Sequence, residues 1–275
     1  MHFLKRNVVL LTAASIAIIS FFLITFAGDF GKVFVSIFAI TALSITAVQS
    51  VVLSRQLKKN QKKTKEALQF SESAYAAAWI DRKIKPLIPL PPLSRWALSP
   101  DTAGYLINLI EQKKPRVMLE LGSGVSTIMA GYVMKEIGIG KIVSLDAEKE
   151  FLQKTKILTE IHGLQKEIEL IHAPLEYLNL SDWEGYWYKL DVFTKFTEQQ
   201  VDLLLIDGPP TTTGPLARYP ALPMLEKYLS SDAIILFDDA ERSEEKEILR
   251  DWENFGWHVQ LLPFRAGAAM LVKRD

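Results

Sequence analysis

The chain contains no cysteine. That removes disulfides, thiolate nucleophiles and cysteine metal sites from consideration, and it suits a reducing compartment. Neither sign of charge is in excess. Thirty-two Lys and Arg stand against 32 Asp and Glu, so no global basic field draws the chain to nucleic acid. Histidine is scarce, four residues in all, and none falls at a paired ligand spacing; only His172, at a strand end, lies near the residues singled out below. No internal repeat and no low-complexity tract is present in the 275 residues, a length for one sizeable domain plus attachments.

Long hydrophobic runs are present, and they are confined to the N-terminal end. Residues 8–27 carry no charge and are long enough to cross a bilayer core. Residues 33–53 form a second uncharged run, richer in Ser and Thr, and only Gly28-Asp29-Phe30-Gly31-Lys32 separates the two. A cleaved signal peptide fits the first run less well, because the run is long, lacks a clear small-x-small site and is followed at once by another span. The reading is a two-helix transmembrane hairpin over residues 1–54, through which the chain associates with the membrane. Lys5 and Arg6 precede it, and Arg55, Lys58, Lys59, Lys62, Lys63 and Lys65 follow it. The positive-inside rule therefore places both termini and the large C-terminal part in the cytoplasm.

Residues 55–98 read as a linker. The first part is a basic, then alanine-rich helix ending near Trp79, and the second is the proline-rich stretch 84–93, too rich in proline for regular helix or a central strand. Ser99-Pro100-Asp101 is a helix start, with Ser as cap and Pro in the first turn. Beyond it, apolar strands alternate with helices. Val117-Met118-Leu119 leads into Glu120 and the turn Gly122-Ser123-Gly124; later strands are read at 141–145, 168–172, 201–206 and 233–237, with a closing pair at 257–262 and 268–272. The pattern predicts an α/β fold with a doubly wound, mostly parallel sheet over residues 99–275, the closing hairpin adding an antiparallel strand at or near an edge.

In such sheets ligands bind beyond the carboxyl ends of the strands. Here those ends carry Glu120, Asp146, Asp207, Asp238 and Asp239. Gly122 and Gly124 allow close backbone approach, and the following helix start offers unpaired N–H groups. Asp146, a little over twenty residues past the glycine turn, is placed to accept ribose hydroxyls, or to cap the helix that begins near Glu148. Asp207, Asp238 and Asp239 would repel one another if left uncompensated. The expectation is a cation, with Mg2+ suited to oxygen ligands, or raised carboxyl pKa values; the alternative is that they serve turns and caps. The aromatic segment 180–196 is either a pocket wall, a membrane-interface element or a helix on the core. Arg218 and Arg242 are candidate anchors for an anionic group, or surface ion pairs.

These motifs resemble the class I S-adenosylmethionine-dependent methyltransferases over about residues 99–273. Glu120-Leu121-Gly122-Ser123-Gly124 looks like that family's acid-x-Gly-x-Gly motif, with Thr127 where a dinucleotide fingerprint has a third Gly. The resemblance implies a seven-stranded sheet and S-adenosylmethionine as cofactor. It places Glu120, Gly122, Ser123 and Gly124 at the methionine end, Asp146 at the ribose, and Pro174 and Leu175 beside the adenine. Asp207 with Asp238 and Asp239 looks like the Mg2+ site of the catechol-type O-methyltransferases; those have Asn where this chain has Asp239, and a base Lys where it has Pro210. Asp207 and Asp239 are then the expected catalytic residues, and the expected reaction is O-methylation of a small-molecule or lipid-linked acceptor. Competing readings are a nucleotide-dependent oxidoreductase, an aminopropyl transferase, or a non-catalytic membrane tether.

Overall fold

A computed structural model describes residues 17–21, 25, 28–93, 97–196 and 200–274. The chain forms two compact units, 1–68 and 69–275, considered separately. The first predicted span, 8–27, lies mostly outside the described residues. The second does not emerge from a turn. Residues Gly28–Ile84 form one helix, α1, and the residues read as a connecting turn are its first turn, where Lys32 pairs with Asp29 at 3.0 Å. The basic segment continues the helix because it contains Lys, Gln, Glu and Ala, and neither Gly nor Pro.

Within the first unit, Phe34, Ile37, Leu43 and Val48 are all exposed. A helix apolar on all sides fits a non-aqueous surrounding. Its hydroxyls return to the carbonyls one turn back, as with Ser44 to Ile40 and Thr46 to Ala42, which gives those donors a partner inside the helix. Among the described residues this is one helix long and apolar enough to cross a membrane.

The second unit is built on a sheet of nine strands' worth of segments, seven of which join in one layer. The strands are β1 (Val117–Leu121), β2 (Lys141–Asp146), β3 (Ile168–His172), β6 (Val201–Ile206), β7 (Leu229–Asp238), β8 (Trp257–Leu262) and β9 (Ala268–Lys273), in the order β3-β2-β1-β6-β7-β9-β8. The first five are parallel; β9 pairs antiparallel with β7 and leaves β8 at the edge. Both faces are covered, so the strands read as unbroken apolar runs. Met118, Leu203 and Leu236 point to one core, beneath α2 (Pro100–Lys113) and α3 (Val125–Ile137). Leu119, Leu204 and Phe237 point to the other, which also takes Trp252 of α6 (Ser243–Asn254). Between these lie α4 (Lys149–Ile161) and the short α5 (Ala221–Leu225). Ser99 caps α2, its Oγ accepting from the Thr102 N–H.

The aromatic segment is not a helix on the core. Leu175–Leu180 (β4) and Trp183–Tyr188 (β5) form a separate antiparallel ribbon, followed by a 3-10 turn at Leu190–Lys195. Trp187 is fully buried and stacks on Phe193 at 5.5 Å.

The register matters most for the site. Leu121 lies level with Leu145 and Ile206, and Ile206 with Phe237. The residues that follow each of these positions therefore emerge at one sheet end, where the strand order reverses at β1.

Trp252 meets Phe237 edge-on at 5.4 Å with no exposure. Trp252→Ala is expected to remove about 3–5 kcal/mol of stability, measured as a lower denaturant midpoint for the full-length protein; an unchanged midpoint would contradict this packing.

Candidate active site

A cavity of about 920 Å³ opens at the carboxyl end of the sheet, large enough for a nucleoside-sized ligand together with a second small molecule. Its lining includes Gly122, Ser123, Asp146, Phe151 and Leu175, and also Asp207, Asp238, Asp239, Arg218 and Arg242. Tyr186 and Tyr188, from the ribbon that the sequence left undivided, also line it.

The glycine turn is held from below. Gly122 has φ +101°, a conformation that favours glycine, and a Cβ there would stand 3.3 Å from the Gly208 nitrogen. The loops after β1 and β6 therefore touch. Glu120 does not reach the cavity. It is fully buried, and its two carboxylate oxygens accept from Ser126 Oγ and Thr127 Oγ1, each at 2.6 Å. Thr127 Oγ1 in turn accepts the Gly124 N–H at 2.9 Å. Glu120 thus braces the turn through two hydroxyls and touches no ligand space. Burial pushes its carboxyl up to about 6, against the opposing pull of the Ser126, Ser144 and Thr127 hydroxyls. Gly124 and Pro174, expected at the cofactor, do not line the cavity either, whereas Leu175 does.

Asp146 does two things at once. Its Oδ1 accepts the Glu148 N–H at 2.9 Å, just ahead of α4, and its Oδ2 accepts both the Ser123 N–H at 3.1 Å and Ser123 Oγ at 2.7 Å. A carboxylate has further lone-pair capacity, and Asp146 faces the cavity. His172, the histidine expected nearby, lies within hydrogen-bond distance of the Ala147 carbonyl through Nε2, at 3.1 Å, and does not line the cavity.

The acid cluster is compact. Carboxylate oxygens of Asp207, Asp238 and Asp239 lie within 4.8 Å of one another. Asp239 holds φ +60°, a left-handed position that Asp tolerates better than most residues. Burial and the neighbouring Asp238 charge push Asp207 well above the usual carboxylate range, while Arg218 opposes the rise. Burial and Asp239 push Asp238 up to about 7.

Arg218 and Arg242 are not free anchors. Arg218 is buried, 3% exposed, and its Nη2 lies 3.4 Å from Asp207 Oδ1 and 3.1 Å from Asp239 Oδ2. Arg242 Nη1 reaches the same Asp239 oxygen at 2.8 Å. This bears on Mg2+. A hard dication requires the carboxylate oxygens as direct ligands, yet Asp207 and Asp239 already face guanidinium donors; only Asp238 has a buried, unpartnered oxygen, Oδ1. As arranged, the residues do not fit a resident dication. Sequence reasoning missed Arg218 as an interior residue. The available signal was the acid cluster itself: three buried carboxylates need a counter-charge, and Arg218 is the first arginine after Asp207.

A parallel sheet with a glycine turn after β1, an acid at the end of β2 and a closing antiparallel pair defines the class I methyltransferase fold. The comparisons agree. Residues 119–240 match a family model described as a methyltransferase domain. Among solved structures, a methyltransferase from Podospora anserina, with S-adenosylhomocysteine bound, is 15% identical, with 74% of this chain and 88% of that one covered at a TM-score of 0.51. An O-methyltransferase from Bacillus cereus, also in complex with S-adenosylhomocysteine, is 16% identical, with 76% and 97% covered and a TM-score of 0.51. At this identity the likeness is one of fold. No curated protein matches the chain.

Glu120 gives a pH test. Its carboxyl titrates at about 6 when folded against an ordinary 4.5, so the folded protein binds that proton more tightly than the unfolded chain. Its contribution is fully present below pH 4.5 and falls as pH rises to about 6, a loss of about 2 kcal/mol. Glu120→Gln is expected to flatten the stability curve across that window in urea unfolding; parallel curves for the two proteins would contradict this account of Glu120.

Proposed function

We propose that this protein transfers the methyl group of S-adenosylmethionine to an oxygen of a small-molecule acceptor. The observation that carries the reading is one cavity whose lining brings together the glycine turn, Asp146 and the acid cluster. The assigned domain is residues 99–275.

The backbone at Gly122 and Ser123, both lining the cavity, holds the methionine end of the cofactor. Asp146 binds the ribose by exchanging one of its Ser123 bonds, and Leu175 with Phe151 packs beside the adenine, next to Pro174. Glu120 is a positioning residue for the turn. When bound, S-adenosylmethionine supplies an electrophilic methyl on a sulfonium. The remaining task for the protein is to align the acceptor, exclude water and take up one proton.

The acid cluster performs that task. Asp238, which lines the cavity, accepts the acceptor's hydroxyl proton. Bound S-adenosylmethionine would supply the methyl to that oxygen, and Asp238 would hold the proton released. Asp207 orients the hydroxyl. Asp239, expected from sequence as a catalytic partner, is engaged by Arg218 and Arg242 and serves instead to hold the two cations. Tyr188, buried against Gly208, closes the floor.

The apolar helix α1 supports a membrane anchor, with the basic segment after it favouring a cytoplasmic catalytic unit. A lipid-linked or membrane-proximal acceptor is the second reading, favoured by that helix alone.

Calorimetric titration of the full-length protein tests the cofactor assignment. S-adenosylmethionine is expected to bind with one-to-one stoichiometry, and Asp146→Ala to weaken it at least about tenfold, the effect of losing a hydrogen bond to a charged group; binding of NAD alone would overturn the reading. Once an acceptor is found, Asp238→Asn is expected to lower kcat about 10²–10⁴-fold while cofactor affinity is kept.

A further inference from the structure

We propose that Arg218 is a built-in counter-charge for the acid cluster, standing in place of a bound divalent cation, and that the cluster works without a metal. The inference goes beyond the proposed reaction and rests on the geometry of the cluster alone.

Three carboxylates packed within 4.8 Å of one another cannot all ionise without a neighbouring positive charge. The guanidinium of Arg218 lies inside that group, and the main chain fixes it there. Nη1 donates to the Asp238 carbonyl at 2.8 Å, Nη2 to the Asp207 carbonyl at 2.5 Å, and Nε to the Pro209 carbonyl at 3.5 Å. The remaining reach of Nη2 goes to the Asp207 and Asp239 carboxylates. Every nitrogen of the guanidinium is thereby engaged. The cation also packs 5.9 Å from the Phe237 ring centroid.

Such a residue differs from a metal in two ways. A guanidinium keeps its charge at any working pH and cannot dissociate. It also offers directed donors in place of an open coordination shell, so it orients the carboxylates without acting as a Lewis acid. Arg242 on the rim is a second cation, shared between Asp239 and the buried Glu245, so positive charge falls short of the carboxylates around it. Asp238 Oδ1 is buried without a partner. Arg218 is therefore a positioning residue: it selects which of the three acids stays available to the cavity. A dication entering the cluster would have to displace Arg218 from two of its carboxylates while meeting its charge at close range.

The test uses full-length protein and the metal alone. Mn2+, Mg2+ and Ca2+ are titrated calorimetrically into wild type, Arg218→Met and Arg218→Lys, and thermal unfolding is followed with and without EDTA. Wild type is expected to show no saturable dication binding and no shift with EDTA. Arg218→Met is expected to melt about 5–15 °C lower, the effect of leaving buried charge uncompensated, to acquire one dication per chain, and to recover part of its melting temperature when the ion is added. Arg218→Lys, which keeps the charge, is expected to recover stability without gaining the ion. One equivalent of dication bound by wild type would overturn the proposal; so would an Arg218→Met protein that melts like wild type and binds no metal. If Arg218→Met does not fold, the wild-type titration and the Lys variant decide. Because no cofactor is present, these outcomes are independent of whether S-adenosylmethionine binds.

Discussion

The compensation of buried carboxylates at one end of a parallel sheet is the constraint on which the rest of this structure depends. Level strands bring Glu120, Asp146, Asp207, Asp238 and Asp239 to the same end, where burial disfavours their charged forms. Each is met differently. Glu120 has two hydroxyls, Asp146 has two backbone N–H groups and a hydroxyl, and Asp207 and Asp239 share Arg218. Asp238 keeps a buried carboxylate oxygen, Oδ1, without a partner. The local geometry follows from these pairings: the hydroxyl pair under Glu120 sets the glycine turn, and the loop after β6 folds inward to deliver its arginine.

The lining around Asp146 and the lining around Asp207 thus differ in electrostatic character by construction. The first is a lattice of short, neutral-donor hydrogen bonds suited to hydroxyls. The second is ionic, with guanidinium and carboxylate groups held at low exposure. A cationic methyl donor on the first and a hydroxyl on the second would each meet a matching field. In the second unit, the β4–β5 ribbon adds the aromatic side that sheet and helices do not supply.

Much of this was legible in the sequence, for reasons that differ by element. The inner parallel strands β1, β2, β6 and β7 stood out because burial on both faces makes them largely apolar runs, and Ser99-Pro100 announced α2 through capping chemistry. The ribbon was not legible. Leu175–Leu180 is mostly half-exposed and its partner is a dense aromatic run, so neither shows the pattern of a buried strand. Gly28-Asp29 looked like a turn between two spans because Gly and Asp are turn formers, yet the pair begins a helix. Arg218 was misjudged because an arginine in a loop of Thr, Gly and Pro reads as a surface residue; its burial follows from a charge balance that only the spatial grouping of three acids reveals. For the same reason Asp238, read only as a metal ligand, emerges with the unpartnered oxygen, and Asp239 does not.

The most direct test of the account is a crystal structure of the full-length protein grown with S-adenosylhomocysteine and Mn2+ together. The account predicts the adenosine along Asp146 and Leu175, the sulfur turned toward Asp207 and Asp238, and the Arg218 guanidinium still between Asp207 and Asp239 with no anomalous peak among the three acids. A manganese ion ligated there, with Arg218 displaced, would contradict it, as would cofactor density away from Asp146.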